Sequence, residues 1–399
     1  MTDRLGENTR ALRLPVSPAP VGDPLRTPVH RSTTYAFATS QEYADVLNGT
    51  AAGYSYARID NPTTDAFAHA VAAMEGAGLD HEVRGQAFAS GMAAISTALL
   101  ALTAAGSHVV AARSIYGNTY SLLDGLFRRF GVETDFVDIT DLDAVRAALR
   151  PETRVVFAET LSNPTMTVSD IPQLARIAHE VGALLVVDST FASPAVCRPL
   201  EHGADLVVHS ATKYIGGHSD ATGGVVVGRP ELMAEVRSAR VDLGPCLAAD
   251  EAFLLLRGLE TLPLRVARQC ATAAEFAAAV AEHPAVERVD HPSLPAHPGH
   301  ALAGKLFDQG RYGAVVTITP RGGREAGMAF ADRLRVATIA ASLGGTHTIV
   351  GHVGSTTHRQ MSDEAIRAAG IGPAAVRFSI GLEDPQDLIA DVLAALDGV

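Results

Sequence analysis

ALLVVDSTFASPAVCRPLEHGADLVVHSATKYIGGHSD, residues 183–220, contains two short apolar runs, 183–187 and 205–209, each closing on a cluster of small and polar residues. Strands read as unbroken apolar runs when both of their faces are covered, the condition of a parallel sheet flanked by helices. Working outward, similar runs stand at 108–112, 133–137, 154–158 and 224–227, with amphipathic helical stretches at 141–149 and 171–181 between them. The expected fold class is therefore α/β, a mostly parallel sheet covered by helices. The first 60 residues lack this alternation and read as an arm that packs on something else. Beyond about residue 257 the texture changes to a long Ala-rich helix (267–282), a loop with Pro and His, and strands around 314–319. The organisation expected is thus an arm over 1–60, a large domain over 61–256 and a smaller α+β domain over 257–399.

Composition narrows the class. A chain of 399 residues, 47% hydrophobic, can bury a core too large for one minimal domain. A formal charge of -12, with no basic run, disfavours a nucleic-acid partner. Residues 86–112 carry no Asp, Glu, Lys or Arg, but the turn signals at 104–107 divide them into a helix (93–102) and a strand, so no membrane span is expected. Three widely spaced cysteines, Cys197, Cys246 and Cys270, and an N-terminus without an apolar signal core point to the reducing cytoplasm.

In an open parallel sheet the chemistry gathers at the carboxyl ends of strands. Ser90-Gly91-Met92 precedes a helical run, where free N–H groups could hold a phosphate, or where Ser90 is an ordinary cap. Asp188 closes an apolar strand, a costly place for a carboxylate without a partner; it would suit a protonated ring nitrogen, or a turn cap with Ser189 and Thr190. Lys213 sits among Ser210, Thr212, Gly216 and Gly217, so it is either a turn lysine at the surface or a desolvated amine ready for nucleophilic use.

The runs SATKYIGGHSD (210–220), VVDSTFASP (186–194), ASGMAAI (89–95), YARIDNPTT (56–64), Ile115-Tyr116-Gly117, ETLSNPTM (159–166) and VRFSIGLED (376–384) occur in this order along nearly the whole chain. Together they resemble the Cys/Met metabolism enzymes that depend on pyridoxal 5'-phosphate (PLP): cystathionine synthases and lyases, methionine γ-lyase and the O-acylhomoserine sulfhydrylases. The resemblance implies a PLP-dependent transferase fold of type I. It also implies that Lys213 carries the cofactor covalently, that Asp188 faces its ring nitrogen, and that Ser90, Gly91, Met92, Ser210 and Thr212 hold its phosphate. Tyr56 and Arg58 would reach the phosphate of a neighbouring subunit, making the site a property of a dimer, with dimers pairing into a tetramer. Tyr116 would stack on the ring and move protons, and Asn163 would lie near the ring hydroxyl. Arg377 would clamp a substrate carboxylate beside Ser342. The implied activity is γ-elimination or γ-replacement on a small amino-acid substrate, first of all methionine γ-lyase-like, with an acylhomoserine sulfhydrylase and a cystathionine γ-lyase or γ-synthase as alternatives.

The departures bear on substrate. Ala341 precedes Ser342-Leu343-Gly344-Gly345, where members that handle cystathionine usually have a glutamate. The run STTHRQMS (355–362) is similar to sulfhydrylases and some methionine-lyase-like members, yet Gly344-Gly345 stands where many sulfhydrylases have Gly-Asp. Asn118 occupies the position after Tyr116-Gly117 where methionine γ-lyases commonly have cysteine, and Leu12-Arg13-Leu14 follows Thr9-Arg10-Ala11 in place of the usual His-Ala-Gly. The histidine groups 291, 297, 300 and 347, 352, 358 lack the acids or cysteines of a metal site, so no metal is expected. A nucleotide-binding α/β module is the competing class, weakened because no G-x-G-x-x-G follows a first strand.

Overall fold

The computed structural model describes residues 5–12, 24–356, 363–368 and 370–398. Its larger sheet comprises β1 (Arg84–Phe88), β2 (His108–Ala112), β3 (Glu133–Val137), β4 (Thr153–Glu159), β5 (Leu184–Asp188), β6 (Leu206–Ser210) and β7 (Gly224–Gly228), in the spatial order β1-β7-β6-β5-β4-β2-β3. Five strands, β2 to β6, pair in parallel, while β7 runs antiparallel to both β6 and β1. The expected α/β architecture is present, with one strand more than the hydropathy shows. β1 opens on exposed Arg84 and becomes buried only from Gln86 onward, so it offers no apolar run to read. β5 and β6 also end one residue later than expected. The backbone ladder continues through Asp188, whose carbonyl accepts from Thr160 N–H at 3.0 Å, and hydrogen bonding overrides the change of polarity there.

Local chemistry sets where the helices start. Asn61 caps the helix Pro62–Glu75, accepting from Thr63 N–H at 2.9 Å, with Pro62 in the first turn where its missing N–H costs nothing. Ser90 caps Gly91–Leu102 and Asp170 caps Ile171–Glu180 in the same way, each such cap contributing about 1 kcal/mol. The uncharged stretch 86–112 is this capped helix between two strands, and among the described residues no helix is long and apolar enough to cross a membrane. Gly224, at the start of β7, could not carry a side chain: a Cβ there would lie 2.2 Å from the carbonyl oxygen of Ser90, so the two segments meet backbone to backbone.

The smaller sheet holds β8 (Val286–Asp290), β9 (Val315–Pro320), β10 (Thr338–Ile339), β11 (Ile349–His352) and β12 (Val376–Ser379), ordered β10-β11-β12-β9-β8 and antiparallel except for the β10–β11 pair. The Ala-rich helix, Leu262–Ala281, packs on it through Phe276 against Phe378, ring centroids 5.3 Å apart. A preceding helix, Ala249–Glu260, runs straight across position 257, so the change of texture read there coincides with no break in secondary structure. In the arm, a first helix (Glu7–Leu12) is tied down by Glu7 paired with Arg311 at 2.8 Å. A second, Ser40–Leu47, has no buried residue. Arg13, Leu14, His358 and residues 357–362 of the STTHRQMS run lie outside the described residues.

Candidate active site

The carboxyl ends of β4, β5 and β6 bring three side chains onto one face. Glu159 and Asp188 are register partners, and Asp188 pairs with Val208, two residues before Ser210, so the period of two aligns all three. Asp188 is buried and accepts from Thr190 N–H at 2.9 Å. Burial pushes its pKa up, opposed by the hydrogen bonds from Thr190 and by the charge of His209. Thr190 Oγ1 in turn accepts from Ser210 N–H at 2.8 Å, linking the ends of β5 and β6. On the opposite face of β6, His209 meets the buried Glu75 at 2.6 Å.

Beyond β6 the chain turns back on itself and presents Lys213, whose Nζ donates to Ser342 Oγ at 2.7 Å. Ser342 adopts a positive φ of 88°, strained for a residue with a Cβ, and this aims both its hydroxyl and its carbonyl at the cluster. The carbonyl accepts from Arg377 at 2.9 Å, and the other guanidinium nitrogen donates to Asn163 Oδ1 at 3.2 Å. Burial, and secondly the charge of Arg377, lower the pKa of Lys213 to about 8. Tyr116 stands at the rim, 42% exposed, its phenol oxygen accepting from Asn118 at 3.3 Å and its N–H donating to Glu159 Oε1 at 2.7 Å.

At the amino end of Gly91–Leu102, Ser90 Oγ accepts from Ala93 N–H at 3.1 Å, and the N–H groups of Gly91 and Met92 precede the first helical acceptor. Gly91 lies against Ser210: a Cβ there would be 2.6 Å from Ser210 Cβ and 2.8 Å from its Oγ. Thr212 is engaged elsewhere, its hydroxyl donating to Gly223 carbonyl at 3.2 Å and accepting from Gly223 N–H at 3.0 Å. Tyr56 and Arg58 do not join this group through any hydrogen bond within the described residues. Arg58 reaches the carbonyl of Val241 at 2.7 Å and stands 5.6 Å from the Tyr56 ring centroid. Most of the expected residues thus lie at these strand ends, while Arg58 turns to Val241 within its own chain.

Glu159 is the residue that sequence reading did not single out. The available signal was the one used for Asp188, an acid closing an apolar strand. The histidines have protein partners: His291 meets Ser293 Oγ at 2.7 Å and Gly313 carbonyl at 3.2 Å, His300 meets Pro292 carbonyl at 2.8 Å, and His352 meets Pro373 carbonyl at 2.9 Å. The three cysteines are unpaired thiols, Cys197 and Cys270 buried.

Fold and site together define a lysine-centred α/β enzyme. The chain belongs to the Cys/Met metabolism PLP-dependent enzyme family, whose model matches residues 8–397. It is 42% identical over 365 residues to an O-succinylhomoserine sulfhydrylase of Pseudomonas aeruginosa, covering 92% of this chain and 89% of the relative. To an L-methionine gamma-lyase of Fusobacterium nucleatum it is 38% identical over 378 residues, 94% of each. A solved structure described as an O-acetylhomoserine (thiol)-lyase of Campylobacter jejuni superimposes with a TM-score of 0.92 at 31% identity, covering 98% of this chain and 100% of the other; that protein holds N'-pyridoxyl-lysine-5'-monophosphate.

The residues present fit PLP. The Gly91–Ser210 approach leaves no Cβ between the helix terminus and a phosphate, Asp188 is a buried carboxyl in want of a cationic partner, and Lys213 is an amine biased toward its free base. Only the free base attacks an aldehyde. With a value of about 8, the rate at which cofactor-free enzyme takes up PLP rises about tenfold between pH 7 and pH 9 and then levels off. An ordinary lysine at 10.5 would still be climbing. Stopped-flow absorbance on mixing with PLP reads the midpoint directly.

Proposed function

We propose that this enzyme catalyses γ-elimination or γ-replacement on a sulfur amino acid or an O-acylhomoserine. The first reading is methionine γ-lyase-like: methionine or homocysteine, with water, gives 2-oxobutyrate, ammonia and a thiol, the thiol being replaced by hydrogen sulfide when the substrate is homocysteine. The observation that carries it is the Lys213–Ser342–Arg377 group, in which one strained serine holds both a depressed amine and a buried guanidinium. Gly91, Met92, Ser90 and Ser210 would hold the phosphate, Thr212 would join them if its hydroxyl leaves Gly223, and Asn163 would serve the ring hydroxyl. When bound, PLP supplies an electron sink for negative charge on the neighbouring substrate carbon. Asp188 would keep a proton on the ring nitrogen and so deepen that sink. Arg377 binds the substrate carboxylate with its planar fork. The Lys213 amine would take the proton from Cα, give it up to the bound cofactor and, as free base again, take one from Cβ, while the Tyr116 phenol would deliver a proton to the leaving group at Cγ.

A second reading, replacement of the acyl group of O-acylhomoserine by sulfide, is favoured by the similarity to the P. aeruginosa sulfhydrylase. Cystathionine comes last, because Ala341 offers its second ammonium no carboxylate. The test supplies methionine, homocysteine, cystathionine, O-acetylhomoserine and O-succinylhomoserine, with and without sulfide, and quantifies 2-oxobutyrate, thiol and amino-acid products. Methionine or homocysteine should exceed cystathionine in kcat/KM by about tenfold or more, the cost of an unpaired charge in the pocket. Homocysteine formed from an acylhomoserine only when sulfide is present, at a higher kcat/KM, establishes the second reading instead. No turnover of any of the five overturns both.

The same reading makes the enzyme a cytoplasmic homo-oligomer in which Tyr56 and Arg58 serve the partner's phosphate, dimers pairing into a tetramer. The arm supports it, since Ser40–Leu47 buries nothing within its own chain and Tyr43 and Leu47 stand 46% and 50% exposed.

A further inference from the structure

Glu159 has no part in the chemistry proposed above, yet it is 6% exposed at the end of β4, directly beside Asp188 on β5. Its Oε1 accepts from the Tyr116 N–H at 2.7 Å, the Asn163 backbone approaches the carboxyl as a second, weaker donor, and its Oε2 is buried with no partner. Tyr116 follows β2 and Asn163 follows β4, so a single carboxyl ties together two loops that come from adjacent strands. Those loops carry the phenol at the rim and the amide that accepts from Arg377.

We propose that Glu159, held as the neutral acid, is a positioning residue that clamps the Tyr116 and Asn163 backbones and leaves Asp188 as the single charged carboxylate facing the cofactor. The inference rests on the placement of Tyr116, Asn163 and Asp188 in the PLP site. Two carboxylates side by side in a dry site cannot both ionise without strong mutual repulsion. One oxygen of Glu159 also lacks any donor, and a charge there is far costlier than a neutral hydroxyl in the same place. Asp188, by contrast, has the Thr190 N–H and, from the far face of β6, the favourable field of His209. Among the described residues the titratable group facing Glu159 is Asp188 from β5; Tyr116 and Asn163 present their backbones. Burial, reinforced by Asp188, raises the carboxyl of Glu159 well above its ordinary value.

Glu159→Gln and Glu159→Ala holoenzymes test this. Glutamine is neutral and keeps an acceptor oxygen for both N–H groups, so kcat should stay within about threefold and the pH midpoint of the bound cofactor's absorbance should move by less than about half a unit. Alanine releases both loops, and a displacement of about 1 Å at Tyr116 lowers kcat about a hundredfold, with KM changing less. Amide hydrogen exchange of the peptide containing Tyr116 should accelerate in the Ala variant and not in the Gln variant. A Gln variant as impaired as Ala, a shifted absorbance midpoint in Gln, or an Ala variant with native kinetics and exchange each overturns the proposal. Should the Ala variant fail to fold, the Gln midpoint and exchange decide alone. Because both are read without turnover, they separate this inference from the substrate assignment, which falls instead if the wild-type holoenzyme processes none of the γ-substituted amino acids.

Discussion

Lys213→Ala lowers turnover by at least about a thousandfold, since the amine that moves both protons is gone, and the protein no longer retains cofactor through borohydride reduction and denaturation. The fold survives. Among the described residues the Lys213 amine makes a single hydrogen bond, to Ser342, and its buried charge is a burden on the cofactor-free protein. The sign follows from its lowered value: between about 8 and 10.5 the unfolded chain binds more protons than the folded one, so stability rises with pH across that window and the cost is full below it. The alanine variant of the cofactor-free enzyme should therefore melt no lower than wild type at pH 7. A folded variant with undiminished turnover would remove Lys213 from the mechanism. The same variant reports on assembly. If Arg58 serves the partner's phosphate, an Arg58→Ala subunit paired with a Lys213→Ala subunit makes one site with neither defect and one with both, and random exchange restores about a quarter of the native sites. Proven exchange without recovered activity, or a fully active monomer, contradicts a shared site.

Asp188→Asn keeps PLP attached but lowers kcat on the order of a hundredfold to a thousandfold, the scale of losing one preorganised electrostatic contact in a dry site. An amide oxygen can still accept from the Thr190 N–H, so the turn joining β5 to β6 through Thr190 and Ser210 keeps its geometry. A neutral amide cannot hold a proton on the ring nitrogen, and the electron sink becomes shallower. The substitution also takes the like charge away from Glu159, whose carboxyl then ionises more readily. Cofactor occupancy, measured by absorbance, should remain near native while steady-state kinetics report the loss. Near-native turnover at full occupancy would exclude the assigned role.

Much of this site could be read along the chain because its parts stand at strand ends, where an apolar run stops at a polar residue. Asp188 and Lys213 were visible for that reason, as were the turns at Ser90 and Ser210. Glu159 obeys the same pattern, but its meaning depends on lying beside Asp188, and parallel neighbours on β4 and β5 are 29 residues apart in register. Asn118 stands out in the sequence only as a departure from the cysteine common after Tyr-Gly in methionine γ-lyases; that it donates to the Tyr116 phenol is a matter of side-chain geometry. Ser342 is farther still from Lys213 in sequence, and only its positive φ turns hydroxyl and carbonyl toward the amine and Arg377.

The amino-acid order by itself determined the α/β class, the helix starts near Ser90 and Asp170, and most of the candidates for the site, because hydrophobic periodicity and capping are local effects that neighbouring residues enforce. Tertiary structure decided the rest. It alone reversed β7, since strand direction depends on which backbone edges remain to be paired, and it alone set the two acids side by side. It also turned Arg58 away from its own chain's cluster and toward Val241, because contacts between distant segments are settled by packing the whole molecule rather than by any stretch of it.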